Sequence, residues 1–243
     1  MASHISVLGI HGSEQLQHVL NTLIESPESQ TFKYQGLAPS YRLKTDDVLL
    51  WAHPARSCFV PSLEVTPYLP VTIAGWREDP ENGCEFCALM DVEVIDPVTG
   101  ETLYPMCVAV GNAVKGREQW PLGSRQTLAM AVLVEHLEVW PDLETYVREE
   151  ICHPSPVRVG PGWFFPGGPY LAAGEPEFNP VSWFYGIAEQ IRQRRNAITG
   201  ETFWTAHVVC GDLAYRVVLD DQAGRQLTEG AVVYIRGWFC ASN

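Results

Sequence analysis

Apolar and polar positions alternate through the last third of the chain. Across 231–239, Val233, Ile235 and Phe239 share one side while Tyr234, Arg236 and Trp238 share the other, the period of two that predicts a half-buried strand. Similar runs predict strands over 181–192, 203–210 and 214–219, separated by turn residues at 196–200 and 222–224. Upstream, Val71–Trp76 reads as a strand, and 87–96 and 102–111 read as a hairpin around a turn at 97–101. A further strand is predicted over Asp46–Trp51.

Helical spacing is confined to two places. Leu16, Val19, Leu20, Leu23 and Ile24 line one face of a helix that Ser13 would cap and that runs to about Ser26, and Asp142–Glu150 reads as a short second helix. Residues 126–139 satisfy two templates. Their Ala, Leu, Met and Glu content suits a helix, whereas their match to 226–239 requires a strand, and both readings stand.

That match belongs to a wider repetition at an offset of one hundred residues. Val98-Thr-Gly-Glu-Thr-Leu-Tyr104 answers Ile198-Thr-Gly-Glu-Thr-Phe-Trp204, and Arg125-Gln126 and Ala131-Val132 answer Arg225-Gln226 and Ala231-Val232. Repetition of a turn together with the strands after it suggests a duplicated β unit. Between the copies, seven prolines from Pro154 to Pro180 exclude long regular structure, while Trp163, Phe164, Phe165 and Tyr170 point to a packed linker. The expected organisation is mainly β in four parts. These are a short N-terminal α/β segment over 1–60, a first unit over 61–150, a Pro/Gly-rich packed linker over 151–179 and a second unit over 180–243.

Charge separates the two units. Of the net −13, residues 61–150 carry sixteen acids against five bases, whereas 180–243 carry six of each. An acidic first unit argues against nucleic acid wrapped around the whole surface and favours a basic protein partner. No apolar run reaches membrane-spanning length and the N-terminal residues do not resemble a signal peptide, so a soluble cytoplasmic protein with no membrane contact is expected. Seven cysteines in that setting are expected to be free thiols, with Cys58, Cys107, Cys210 and Cys240 as small buried hydrophobes.

The segment Leu227-Thr-Glu-Gly230-Ala-Val-Val-Tyr-Ile-Arg-Gly237 resembles the closing strand of OB-fold proteins, notably the bacterial single-stranded DNA-binding and primosomal proteins. The resemblance covers about a quarter of the chain. It implies tandem OB-like β-barrel units, small Greek-key barrels whose face and loops often hold oligonucleotides, and OB-folds also bind sugars and proteins.

Candidate chemistry follows from these elements. Tyr234, Arg236 and Trp238 form the type of surface on which bases stack, Arg192, Arg194 and Arg195 sit before a turn that would grip a phosphate backbone, and Trp204, Tyr215 and Arg216 extend the set. Trp163, Phe164 and Phe165 would wall a pocket against the linker. Cys84 and Cys87 have the spacing of two zinc ligands, for which Cys152-His153 or His136 would have to complete the site. No nucleophile elbow, His-Glu-x-x-His motif or phosphate loop is present, so no catalytic residue or cofactor is assigned. Three functions remain. They are a non-enzymatic interaction or self-assembly module, a single-stranded nucleic-acid binder using the second unit, and a small-ligand binder or enzyme with a pocket at the linker.

Overall fold

A computed structural model describes residues 4–45, 48–54, 58–63, 68–78, 88–152, 159–167 and 180–242. The protein is mainly β. After a single-turn helix at His4–Leu8 come α1 (Gly12–Glu25) and four short strands, β1 (Gln30–Phe32), β2 (Ser40–Thr45), β3 (Val48–His53) and β4 (Cys58–Leu63). A run of β5 (Tyr68–Glu78), β6 (Ala88–Ile95), β7 (Thr102–Val110), α2 (Ala113–Gln119) and β8 (Arg125–Trp140) follows. Then come α3 (Leu143–Cys152) and β9 (Phe164–Phe165), and a second run of β10 (Val181–Arg195), β11 (Thr202–Cys210), β12 (Leu213–Asp220), α4 (Asp221–Gly224) and β13 (Val232–Ala241).

The two long runs repeat one order, three strands, a helix and a strand, and their strands pair in two closed circuits. One circuit is β5–β6–β7–β13–β8 and back to β5, and the other is β10–β11–β12–β8–β13 and back to β10. Each takes four strands from its own run and borrows the last strand of the other. The borrowed strand always pairs in parallel, β13 with β7 and β8 with β12, whereas every other pairing is antiparallel. β8 and β13 are therefore one shared wall, paired from Val232↔Trp140 to Ala241↔Met130.

The exchange of neighbours along this wall is nearly two-fold. The outer edge of β8 pairs with β5 through Ala129 and with β12 from Ala131, and the outer edge of β13 pairs with β10 through Trp238 and with β7 from Cys240. Ala131 and Cys240 face one another at the crossing point, where the Cys240 thiol donates to the Ala131 carbonyl at 3.5 Å. Gly237 is required beside it. A Cβ there would lie 2.6 Å from Val132 Cγ1 and 2.7 Å from the Leu133 carbonyl oxygen.

This wall settles residues 126–139 as strand. Leu128, Met130, Val132 and Val134 point inward, while Ala131 and Leu133 are buried on the outer side, so both faces are apolar and the alternation that marks a half-buried strand is erased. The inward residues belong to one continuous core running through both circuits, from Val71, Val92 and Val108 in the first to Val208, Val217 and Phe239 in the second. An aromatic knot joins them. Phe164 stacks on Tyr104 with ring centroids 4.3 Å apart and lies within 6 Å of Phe184, Tyr215 and Phe239.

A second core covers part of the wall's outer surface. Leu8, Ile10, Val19, Leu23, Leu43 and Leu50 of the N-terminal layer close over Leu89, Cys107, Ala131, Leu133, Val218 and Cys240. Each of the Leu, Ile and Val side chains contributes roughly 1.5–3 kcal/mol by leaving water. Polar ties fix the layer to both runs. His53 Nε2 lies 2.8 Å from the Gly111 carbonyl oxygen, and the Asn196 amide donates to the Leu8 carbonyl at 2.8 Å. Trp51, fully buried against Gly111, has the cations of Arg42 and Lys115 5.7 and 5.8 Å from its ring.

Several expectations change. Ser13 does not cap α1. The N-cap is His11, whose backbone N–H donates to Gln15 Oε1 at 2.6 Å. The helix α2, the paired strands β1, β2 and β4, and the helical turn α4 carried no periodic signal, being too short to show one. The hundred-residue register is not the register of the fold. Residues 98–104 sit in the turn between the second and third strands of their run, but 198–204 sit between the first and second of theirs. The shared sequence encodes a shared turn. Asp96 Oδ1 accepts the amides of Val98 and Thr99, Asn196 Oδ1 accepts those of Ile198 and Thr199, and Gly100 and Gly200 adopt φ of +74° and +76°. Cys107, Cys210 and Cys240 are free and buried as expected, and no described helix is long and apolar enough to cross a membrane.

Candidate ligand-binding face

The N-terminal layer leaves half of the wall uncovered. Over that half, β9, β10, β13 and β8 lie side by side, and cross-strand register sets their outward side chains in rows. The first row is Phe165, Trp183, Arg236 and His136, matched Cα to Cα across all four strands. In the second, Tyr185 pairs with Tyr234 and Tyr234 with Glu138, and the Tyr185 amide donates to the carbonyl of Trp163 on the other side. Trp140 closes the patch beside Val232.

The period of two makes this possible because the residues between these are the core's, Phe164 and Phe184 among them. The rings form two groups. Trp163 and Phe165 are 5.9 Å apart and Phe165 and Trp183 6.3 Å, both near-parallel, while Tyr185 and Tyr234 are 4.9 Å apart. Trp140 lies 6.5 Å from Tyr185 and is braced by Tyr146 of α3 at 5.1 Å. Tyr146 is itself held by its hydroxyl, which donates to the Val159 carbonyl.

Charge at the face is mixed and net acidic. Arg236 Nε lies 3.8 Å from Glu135, His136 Nε2 lies 3.1 Å from Glu138, and the Trp140 indole N–H donates to Glu149 at 2.8 Å. Three carboxylates thus share the face with one guanidinium, which pairs with Glu135. Partial burial, then the Glu138 charge, raises the Tyr234 pKa above the ordinary phenol value against the opposing pull of Arg236, so its hydroxyl stays a donor at neutral pH. Trp163 is 49 % exposed, and the side chains of Arg236, His136 and Glu138 are all more than half exposed. Such a face can stack, donate hydrogen bonds and attract cations. It holds no nucleophile paired with a base, and no described group of three or more His, Cys, Asp or Glu residues is placed to hold a metal.

Of the residues singled out from sequence for a nucleic-acid face, Tyr234 and Arg236 are on this face and the others are dispersed. Trp238 follows on the same side of β13 but packs against the N-terminal layer. Tyr215 is inside the core at 1 % exposure, so it is not a surface residue. Trp204 seals the end of the second circuit, touching Gly224 and donating to Asp221 Oδ1 at 3.0 Å. Arg216 lies on β12 opposite Ala131 and His207. Arg192, Arg194 and Arg195 fall beyond a bulge at the far end of β10, roughly 30–40 Å along the strand from Trp183 at about 3.3 Å per residue, and Arg195 is spent on the Gly200 carbonyl.

The predicted linker wall is split. Trp163 and Phe165 face outward, but Phe164 between them turns into the core, as the alternation of β9 requires. Cys84, Cys87 and His153 lie outside the described residues, as does the side chain of Cys152. Trp183, Tyr185, Trp140 and Glu138 were not singled out, although Trp183-x-Tyr185 shows the same alternation as Tyr234-x-Arg236. What joins the two pairs is strand register.

Away from this face, an open cleft of about 430 Å³ lies between Pro70, Ile95, Pro97 and Arg125. Its carboxylate is already committed, because the amides of Thr99 and Val98 bind Asp96 and hold its pKa below the usual carboxylate value. No model of a known protein family matches the chain, and neither do any curated proteins or solved structures.

Proposed function

We propose that the protein is a non-catalytic binding module built of two OB-like barrels, which engages another protein through the aromatic and acidic face of β8, β13, β10 and β9. The two closed circuits support the barrel reading, since each is a five-stranded ring with four consecutive strands of its own. The observation that carries the functional reading is the half-buried aromatic surface around Trp183 and Arg236, with Trp163 exposed at its edge. Large aromatics with one arginine are the residues that anchor protein interfaces. The carboxylates of Glu135, Glu138 and Glu149 oppose the phosphate backbone that a nucleic-acid face must attract.

The test replaces Trp163 with a photo-crosslinking amino acid in the full chain and irradiates it in its native cells. Protein adducts that disappear when Trp183→Ala is added support the reading, and adducts of the chain with itself by the same route assign the face to self-assembly. Nuclease-sensitive adducts, or adducts indifferent to Trp183→Ala, overturn it.

A further inference from the structure

We infer that the segment taken by this face is an extended, proline-rich peptide in the polyproline II conformation that carries Lys or Arg, an inference that rests on the binding-module reading above. Three observations converge on it.

The first is the donor inventory. Among the described residues the indole N–H groups of Trp163 and Trp183 and the Tyr234 hydroxyl have no hydrogen-bond partner, and the Arg236 guanidinium is only loosely held by Glu135 at 3.8 Å. The uncommitted polar groups of the aromatic part of the face are therefore donors, while its carboxylates lie towards β8. A proline-rich backbone is complementary, because proline has lost its N–H and polyproline II leaves every carbonyl unsatisfied.

The second is spacing. Successive rings along Trp163, Phe165 and Trp183 are 5.9 and 6.3 Å apart. Polyproline II presents the same face every three residues, about 9.3 Å. That is close to the two strand spacings, about 9.6 Å, that separate Phe165 from Arg236 in the cross-strand row, so the rod lies across the strands along that row without bending. The peptide is stiff before it binds, so little ordering entropy opposes docking on a surface that is itself fixed by strand register.

The third is charge. The series runs from bare aromatics at Trp163 and Phe165 to Glu138 and Glu135 beyond Arg236, so a proline-rich segment laid along it ends among carboxylates. A basic residue at that end of the peptide meets Glu138, whose side chain is 52 % exposed. Strand addition is closed at the centre of the patch, since β10 and β13 are already paired on both edges there.

The experiment follows tryptophan fluorescence of the full chain on titration with a peptide of about twelve residues built from Pro-Pro-Arg repeats, about 37 Å long as polyproline II. The parallel probes are Pro-Pro-Glu repeats, Gly-Ser-Arg repeats of equal charge and a single-stranded oligothymidylate. Saturable binding of the Pro-Pro-Arg peptide is expected, at least tenfold tighter than any other probe. Trp183→Ala and the exposed Trp163→Ala should each weaken it by tenfold or more with unchanged circular dichroism. Glu138→Lys should weaken it several-fold at low salt and little at high salt. Equal binding of Gly-Ser-Arg overturns the inference by reducing it to charge. Preference for the oligothymidylate, no binding of the proline peptide, or indifference to both tryptophan variants also overturns it. Cross-linked protein partners combined with no affinity for proline peptides would reject this ligand class and leave the module reading standing.

Discussion

Tyr104 and Tyr215, on β7 and β12 of different circuits, share a hydrogen bond between their hydroxyls at the junction of the two interiors. Tyr215 is wholly buried, and desolvation pushes its pKa far above the ordinary phenol value, so the pair is a neutral bond in an apolar setting. Tyr215→Phe leaves the Tyr104 hydroxyl without its partner and should cost about 1–2 kcal/mol. Urea unfolding of both single variants and the double variant should give a double-mutant coupling of about 1 kcal/mol. Strict additivity would mean that the hydroxyls do not interact.

The shared wall and single core predict one cooperative transition. Val92→Ala in β6 and Val208→Ala in β11 each open a cavity in that core, and each should lower the same midpoint by about 2 kcal/mol of stability. Fluorescence and circular dichroism should report coincident curves. Two resolved transitions, with each variant shifting only one of them, would show that the circuits unfold separately.

At the bulge in β10, Gln190 adopts φ of +50°, and the Glu229 carboxylate accepts the amides of Gln190 and Ile191 at 3.1 and 2.9 Å. Glu229→Ala should destabilise by about 1–2 kcal/mol, since two charge-assisted bonds are lost. Gln190→Gly should stabilise by about 0.5–1 kcal/mol by relieving the left-handed backbone. Thermal melts read both, and a destabilising Gln190→Gly would contradict the strain.

Burial pushes the thiols of Cys210 and Cys240 up to about 12 from an ordinary 9.0. The unfolded chain ionises them first. Their contribution is therefore intact below pH 9 and is lost as pH rises toward 12, by up to about 1.4 kcal/mol per pH unit for each thiol. Cys240→Ala should remove about one proton's worth of slope from the stability profile above pH 9. An unchanged slope would place that thiol in contact with solvent.

The strands of the second run were legible because one face of each is polar, as Trp183, Tyr185, Tyr234 and Arg236 show. β8 was ambiguous because both its faces are covered, by the shared interior and by the N-terminal layer. The β13 part of the candidate face could be read, Tyr234 and Arg236, since alternation within one strand is a local property. The rest depends on which strands lie next to β13, and nothing local to 231–239 encodes its two neighbours. The reach from Arg236 to Arg194 failed for the same reason. Position along a strand is counted easily, but separation in space depends on bulges such as that at Gln190.

The borrowed strands also order events in time. β7 finds its parallel neighbour at Cys240 and Ala241, more than a hundred residues after Ala109 and Val110 have been made. At cellular synthesis rates that is on the order of ten seconds during which β5, β6 and β7 exist without the strand that closes their ring. During that interval an unsatisfied edge is open to any other strand, including that of a neighbouring nascent copy. The last strand of the second run is thus also the latch of the first, and slowing its arrival is a route to misassembly that no substitution in the first run could repair.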